Sequence, residues 1–212
     1  MFKYVITAIL LIFVILLATP LTAKSSGEKI VFLGDSLTAF ADLNEMFPDG
    51  NMINRGVYGD TSRDMYNRLG AVIHDAPKKI FIMAGINDII RGQSVDGLIL
   101  TYNKILNVLI RKLPNTEIYV ISILPVNIEV EPPDLYIKYN LYINTNVIIA
   151  NEKIKQTVVK YKDKYKIKYL DIYGAFVYTG TIKLNPLFTY DGVHLTHEGY
   201  ATWKQQIERY VY

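Results

Sequence analysis

An uncharged apolar run that ends in Gly-Asp-Ser is the feature that most constrains the fold of this chain. Residues 30–33, Ile-Val-Phe-Leu, lie between Lys29 and Gly34 and contain no polar side chain. Such a run is typical of a strand in a parallel sheet that is covered on both faces. We therefore predict a central strand that delivers Asp35 and Ser36 to its carboxyl end, where ligands bind in open α/β sheets. The same tripeptide is also typical of a turn that caps the next helix.

Further strand-like runs alternate with helix-like patterns, which predicts βαβ units and a parallel sheet. The other predicted strands are residues 51–54, 79–84, 118–123 and 167–172. Apolar residues three and four positions apart predict helices around residues 61–73, 98–113, 144–163 and 197–210. With right-handed crossovers, these elements form a three-layer α/β/α sandwich around a central, mainly parallel five-stranded sheet. Residues 29–212 show no internal repeat or second-domain boundary, so we predict one domain there.

The first 23 residues have the composition of a targeting segment. Lys3 is followed by an uncharged stretch with an aliphatic centre, which is typical of a secretory signal peptide. An uncleaved membrane anchor is the alternative, because about 20 uncharged residues can span a bilayer. Residues 24–28 are interpreted as a short polar linker. Under both interpretations the domain at 29–212 is expected outside the cytoplasm, in the periplasm, at the cell surface or secreted.

The composition excludes several classes of site and partner. The chain has no cysteine, which excludes disulfides, thiolate metal sites and a cysteine nucleophile. It has three histidines and no His-Glu-x-x-His pattern, so we predict neither a metal site nor a cofactor. The formal net charge of +3 is small and dispersed, which argues against nucleic acid as a partner. Membrane contact is expected only through residues 1–23, if they are retained.

A serine hydroxyl becomes a strong nucleophile only when an oriented base takes its proton, and His194 is the best candidate for that base. Asp191 lies three residues before it on a glycine-containing loop and can curl back to one ring nitrogen, which leaves the other for Ser36. His74 is interpreted as a helix-end residue, and His197 as a residue at the start of the last helix. The alternative is that Asp191 belongs to an ordinary turn and His194 merely precedes a helix.

Two further stretches follow predicted strands and offer hydrogen-bond donors for a developing oxyanion. Gly59 follows the second strand, where a glycine lets a backbone N–H approach a ligand closely. Asn87 follows the third strand in Gly-Ile-Asn-Asp and brings a side-chain amide to a neighbouring strand end. Taken singly, Gly59 is also typical of a turn, and Asn87 with Asp88 of a helix cap.

The order of these segments and their residues resemble the conserved blocks of a known family, the SGNH or GDSL-type hydrolases. The four blocks are Gly-Asp-Ser-Leu-Thr at 34–38, Gly-Asp-Thr-Ser at 59–62, Gly-Ile-Asn-Asp at 85–88 and Asp-Gly-Val-His-Leu at 191–195. The resemblance implies a flavodoxin-like sandwich in which Ser36 is the nucleophile, His194 the general base and then acid, and Asp191 the orienting carboxylate. It also implies an oxyanion hole made by the backbone N–H groups of Ser36 and Gly59 and the Asn87 side chain. The Gly-x-Ser-x-Gly elbow of α/β-hydrolases is absent, which argues against that fold.

The resemblance implies ester hydrolysis, and we expect short acyl esters, especially acetyl esters of carbohydrates, as the substrates. The expectation depends on export and on polar, tyrosine-containing connections at 124–142 and 171–195. Tyrosines in or beside them are candidates for stacking on a sugar or acyl group: Tyr136, Tyr139, Tyr173, Tyr178 and Tyr190.

Two alternatives stay open. The first is a lysophospholipase or thioesterase that acts on longer acyl chains, in a slot formed by Leu37, Phe40, Val126 and Ile128. The second is a non-catalytic surface module that binds glycans, against which the complete set of site residues argues, because binding alone needs no aligned base.

Overall fold

The computed structural model describes residues 27–129 and 133–212. The predicted targeting segment at 1–23 therefore lies outside the described residues, as does most of the linker at 24–28. The sheet contains five strands: β1 Lys29–Gly34, β2 Asn51–Gly56, β3 Lys79–Met83, β4 Glu117–Ile121 and β5 Ile167–Leu170. All neighbouring strands are parallel, so the predicted α/β class and parallel five-stranded sheet are confirmed.

The strand order is β2-β1-β3-β4-β5, which corrects one detail of the prediction. We expected β1 at the centre of the sheet, but β3 is central and β1 is the inner strand beside it. The chain leaves β1 for the edge strand β2 and then crosses back past β1 to β3. This reversal makes the carboxyl end of β1 the topological switch point, where open α/β sheets bind ligands. Ser36 follows β1 at that point.

Helices cover both faces of the sheet, as predicted for a three-layer sandwich. They are α1 Ser36–Ala39, α2 Leu43–Met46, α3 Ser62–Asn67, α4 Leu69–Asp75, α5 Ile86–Ile90, α6 Val95–Lys112, α7 Pro133–Val159, α8 Tyr173–Phe176 and α9 His197–Val211. Side chains alternate between faces along β1: Val31 and Leu33 pack with α3 to α7, and Phe32 packs with Trp203 of α9. No helix in the described part of the chain is long and apolar enough to cross a membrane.

Two helices differ from the predicted boundaries. The apolar stripe around 61–73 forms α3 and α4, separated at Arg68, whose guanidinium bonds the carbonyls of Gly34 and Arg55. The helix predicted over 144–163 begins at Pro133, within the predicted connection 124–142. Proline is favoured at the start of a helix, so this residue marks a beginning where we had expected a loop.

Candidate active site

Ser36 is the first residue of α1, directly after β1. The Asp35 carboxylate caps this helix by accepting a hydrogen bond from the Leu37 N–H at 3.0 Å. Gly34 permits the sharp entry, because a Cβ there would lie 2.0 Å from the Thr38 Oγ1 and 2.9 Å from the Met83 carbonyl oxygen. The local backbone therefore fixes the Ser36 side chain at the end of the strand.

His194 joins Ser36 to Asp191 in a continuous line of hydrogen bonds. The Ser36 Oγ lies 2.8 Å from His194 Nε2, and His194 Nδ1 lies 2.6 Å from Asp191 Oδ2. Because a carboxylate only accepts, Nδ1 carries the proton of the neutral ring and Nε2 faces Ser36 as an acceptor. The structure thus brings together the three residues predicted as nucleophile, base and orienting carboxylate.

Asp191 is held in place by its own loop as well as by the imidazole. Its Oδ1 accepts the backbone N–H groups of Val193 at 2.9 Å and His194 at 2.7 Å. Partial burial raises the pKa of Asp191, but the hydrogen bonds from His194 and the backbone outweigh it, so the pKa lies below its usual value. The carboxylate is therefore ionised at neutral pH and can stabilise an imidazolium beside it.

The loop that carries Asp191 and His194 lies against the segment after β4. Gly192 has a φ of +86°, and a Cβ there would be 2.3 Å from the Asn127 carbonyl oxygen. The Asn127 N–H donates to the Gly192 carbonyl at 2.8 Å, and the Gly192 N–H donates to Thr189 Oγ1 at 2.8 Å. Glycine at this position allows the two backbones to pair closely.

That supporting segment, residues 122–129, is bound in turn by three buried asparagines of α7, which we call the asparagine row: Asn140, Asn144 and Asn151. Each side chain accepts a backbone N–H and donates to the carbonyl of the same residue, as the edge of a neighbouring strand would do. The pairs are Asn151 with Ile123 at 2.8 and 2.9 Å, Asn144 with Val126 at 2.8 and 2.9 Å, and Asn140 with Ile128 at 3.0 and 2.7 Å. The row satisfies buried backbone groups that β5 does not reach. Sequence analysis missed these residues.

Gly59 and Asn87 follow the two strands on either side of β1. Gly34, the last residue of β1, pairs with Gly56 of β2 and Met83 of β3, so all three connections start at one level of the sheet. Gly59 has a φ of +74°, a conformation that favours glycine. The Asn87 Nδ2 donates to the Asp60 carbonyl at 3.0 Å, which orients the amide beside the Gly59 loop.

Asp88 fixes these two connections to each other. Its buried carboxylate accepts the Ser62 N–H at 2.8 Å and the Ser62 Oγ–H at 2.6 Å. Burial raises the pKa of Asp88, while the two bonds from Ser62 oppose that shift. The sequence allowed Asp88 to be an ordinary helix cap, whereas the structure gives it a long-range role that ties α3 to α5.

Asp35, directly before Ser36, is almost completely buried, with only 1% of its surface exposed. Burial raises its pKa to about 7, against the opposing effects of the Leu37 N–H and of charge on His194. Its side chain therefore changes charge in the physiological range, and it does so beside the Ser36 and His194 pair.

The four side chains predicted to line an acyl slot do not form one in the structure. Leu37 and Val126 are buried in the two different hydrophobic cores, so they cannot line one open slot. Ile128 is half-buried against the first of those cores. Phe40 is half-exposed, and its ring centroid lies 5.3 Å from that of His194.

The five candidate tyrosines have different environments. The Tyr136 hydroxyl donates to Asn127 Oδ1, and the Tyr173 hydroxyl donates to the Ile182 carbonyl. Tyr139 packs on the core and Tyr178 is exposed, whereas Tyr190 packs on His194 at a centroid distance of 5.9 Å. Tyr58, which was not predicted from the sequence, packs on the same imidazole at a centroid distance of 6.0 Å.

Within 27–129 and 133–212, no group of three or more histidine, aspartate or glutamate side chains is placed to hold a metal ion.

Comparison with known proteins identifies the family. Residues 32–202 match the model of the GDSL-like lipase/acylhydrolase family. A search of proteins of curated function finds no match. Among solved structures, a GDSL-like lipase from Bacteroides thetaiotaomicron is 23% identical with a TM-score of 0.70, and the match covers 92% of this chain and 91% of that one.

Two other solved structures share the fold. The lipase/acylhydrolase from Enterococcus faecalis is 24% identical with a TM-score of 0.62, over 87% of this chain and 95% of its own. A catalytic mutant of an acetylxylan esterase from Geobacillus stearothermophilus is 20% identical with a TM-score of 0.62, over 88% of this chain and 94% of its own. From the family match and the architecture, this chain belongs to the GDSL-like lipase/acylhydrolase family and is an ester hydrolase.

Proposed function

We propose that the protein is a serine esterase in which Ser36, His194 and Asp191 form the catalytic triad. The observation that carries the proposal is the line of hydrogen bonds from Ser36 Oγ to His194 Nε2 at 2.8 Å and from His194 Nδ1 to Asp191 at 2.6 Å. This geometry lets one imidazole take the serine proton while the carboxylate fixes the tautomer.

The reaction has two steps. Ser36 Oγ attacks the ester carbonyl carbon while its proton passes to His194 Nε2, and the tetrahedral intermediate then expels the alcohol, which takes that proton. Water attacks the acyl-enzyme next, with His194 accepting its proton and returning it to Ser36 as the acid leaves. Asp191 stays ionised throughout and stabilises the imidazolium.

The oxyanion of each intermediate is bound by the backbone N–H groups of Ser36 and Gly59 and by the Asn87 amide. As the first residue of α1, Ser36 has an N–H without a partner inside the helix. Asn87 uses one hydrogen of its amide on the Asp60 carbonyl, which leaves the second for the substrate. Donors that are oriented before reaction stabilise charge without reorganisation.

We infer that the substrates are short acyl esters, mainly acetyl esters of carbohydrates. Burial of Leu37 and Val126 supports a short acyl group, because it removes two walls of the slot that a long chain would need. A polar groove of about 220 Å³ beside Asp191 supports a hydroxyl-rich alcohol half. The acetylxylan esterase with the same fold is consistent with this choice. Export of the domain at 29–212 remains a prediction from residues 1–23.

Hydrolysis of longer acyl esters is the second candidate, and one groove favours it. A cavity of about 330 Å³ between α2 and α9 is lined by Phe40, Met46, Tyr200 and Ala201, with charged side chains at its edges. Phe40 links this groove to His194. A medium-length acyl chain could lie along these apolar side chains.

The test compares p-nitrophenyl acetate with p-nitrophenyl octanoate, using the full-length protein and its Ser36→Ala variant. Turnover that requires Ser36 and favours acetate is expected, whereas a preference for octanoate would support the longer-chain candidate. Labelling by a fluorophosphonate probe should likewise require Ser36. Equal rates in wild type and Ser36→Ala on both esters, without labelling, would leave the non-catalytic glycan-binding module as the better account.

A further inference from the structure

Three exposed aromatic side chains surround the imidazole of His194. We call Phe40, Tyr58 and Tyr190 the aromatic rim. Their ring centroids lie 5.3, 6.0 and 5.9 Å from that of His194, and the two tyrosine rings are within 17° of parallel to it. Phe40 also contacts Tyr58, with a centroid distance of 6.0 Å. The rim is therefore one continuous surface at the entrance to the nucleophile.

The rim is not part of either hydrophobic core. Phe40 is 50% exposed, Tyr58 69% and Tyr190 66%. The three residues come from separate connections, after α1, after β2 and before His194, so no single helix or strand accounts for the cluster. Exposed apolar surface gathered next to a reactive group is typical of a ligand-binding surface.

The shape and surroundings of the rim favour a sugar ring over an acyl chain. Flat, exposed rings with hydroxyl groups match a ligand that has both apolar C–H faces and polar edges. Tyr190 also borders the polar groove of about 220 Å³, with Asn127, Glu129 and Thr189 along it. Asn127 Oδ1 already accepts from Tyr136 and Thr189 Oγ1 from Gly192. An acyl chain in that groove would still remove water from the Glu129 carboxylate and from the remaining donors of these side chains, which is costly, whereas sugar hydroxyls would bond them.

We propose that the aromatic rim is a saccharide-binding platform for the alcohol half of the substrate. Tyr58 and Tyr190 stack on the C–H faces of sugar rings, and the polar groove beside Tyr190 binds their hydroxyl groups. The ester carbonyl then lies over Ser36. This inference rests on the proposed carbohydrate esterase function and names the side chains that supply its substrate preference.

The experiment measures kcat/KM of the full-length protein on two acetate esters, peracetylated xylose and p-nitrophenyl acetate, and takes their ratio. In Tyr58→Ala and Tyr190→Ala the ratio should fall about three- to tenfold each, mainly through KM on the sugar ester, as expected for the loss of one aromatic contact. The Phe variants of the same positions keep the ring and should restore the ratio to within about twofold. Tyr142→Ala removes an exposed tyrosine of α7 and is the matched control, with an unchanged ratio.

Equal losses on both esters would overturn the proposal, because the rings would then act by orienting His194. Wild-type kcat/KM on both esters in the two alanine variants would overturn it as well. A separate readout uses unesterified xylotetraose, cellotetraose and chitotetraose as competitive inhibitors of p-nitrophenyl acetate hydrolysis. Inhibition that weakens in Tyr58→Ala and Tyr190→Ala would support the platform. If the wild type left the sugar ester uncleaved but showed this inhibition, the proposed substrate would be refuted and the platform would not. Absence of inhibition by all three at millimolar concentration would refute the platform.

Discussion

Replacing Asp35 with asparagine should change the free energy of unfolding more favourably at pH 8 than at pH 4.5, each time relative to the wild type at the same pH. The Asp35 carboxyl is almost completely buried, and burial raises its pKa from 3.8 to about 7. Its oxygen caps α1 through the Leu37 N–H at 3.0 Å. An asparagine oxygen can accept the same hydrogen bond, since the two residues are equally good caps. The substitution therefore removes the ionisation and keeps the local structure.

The direction of the pH dependence follows from the number of protons that the folded and unfolded states bind. Between pH 3.8 and about 7 the folded protein keeps the Asp35 proton while the unfolded chain has released it. The contribution of Asp35 to the free energy of unfolding must therefore fall as the pH rises through this range. Each pKa unit corresponds to about 1.4 kcal/mol, so a shift of about three units gives an upper limit of about 4 kcal/mol by pH 8. Asparagine does not titrate, and the variant lacks this loss.

Urea unfolding of both proteins at pH 4.5, 6 and 8 measures the effect. The stability of Asp35→Asn minus that of the wild type should rise by about 2–4 kcal/mol from the lowest pH to the highest. Asp42→Asn is the matched control, because Asp42 caps α2 in the same way with an exposed side chain. Parallel curves for wild type and Asp35→Asn across this range would refute the reasoning, since they would mean that Asp35 ionises alike in the folded and unfolded states.

Three further substitutions test the site and its support. Asn87→Ala should slow turnover of p-nitrophenyl acetate about 100- to 1000-fold by removing an oxyanion donor, and a rate near that of the wild type would contradict its role. His194→Ala should be nearly as damaging as loss of the nucleophile, while His197→Ala should keep the wild-type rate in the same assay. Asn144→Ala leaves the buried Val126 N–H unpaired, while the Val126 carbonyl keeps its bond from the Leu184 N–H, and should cost about 1–3 kcal/mol in urea unfolding, against a small effect of Asn146→Ala, whose side chain bonds an exposed carbonyl of its own helix.

Features with a local signal could be predicted from the sequence. The strand before Ser36 is uncharged and bounded by a lysine and a glycine, so its type and its end are both encoded within a few residues. The spacing of Asp191 and His194 likewise encodes their contact, because three residues around a glycine suffice to close it. The parallel sheet followed from the alternation of strand-like and helix-like patterns, and the structure confirms it.

Features that depend on contacts distant in sequence could not be predicted. Arg68 interrupts a regular apolar stripe because its guanidinium binds carbonyls 13 and 34 residues away. Residues 133–143 of α7 were assigned to a connection because prolines there are typical of loops, and because Asn140 interrupts the apolar face. This buried polar residue is explained only by the backbone that it binds. Phe40 and Tyr58 meet at His194 from separate connections, so no spacing in the sequence brings them together.

The proposed catalytic groups are positioned by two different kinds of structure. Ser36, Gly59 and Asn87 follow three adjacent strands, so the backbone hydrogen bonds of the sheet fix their starting points. The Asp191 and His194 loop has no strand of its own and instead pairs through Gly192 with the segment at 122–129. That segment lies beyond the end of β4, outside the sheet, and its backbone is hydrogen-bonded by amide side chains of α7. Because each such side chain replaces one backbone pair, the asparagine row extends strand-like order beyond the end of β4. His194, the proposed base, is thereby held by tertiary contacts of α7, whereas Ser36, the proposed nucleophile, is held by the sheet itself.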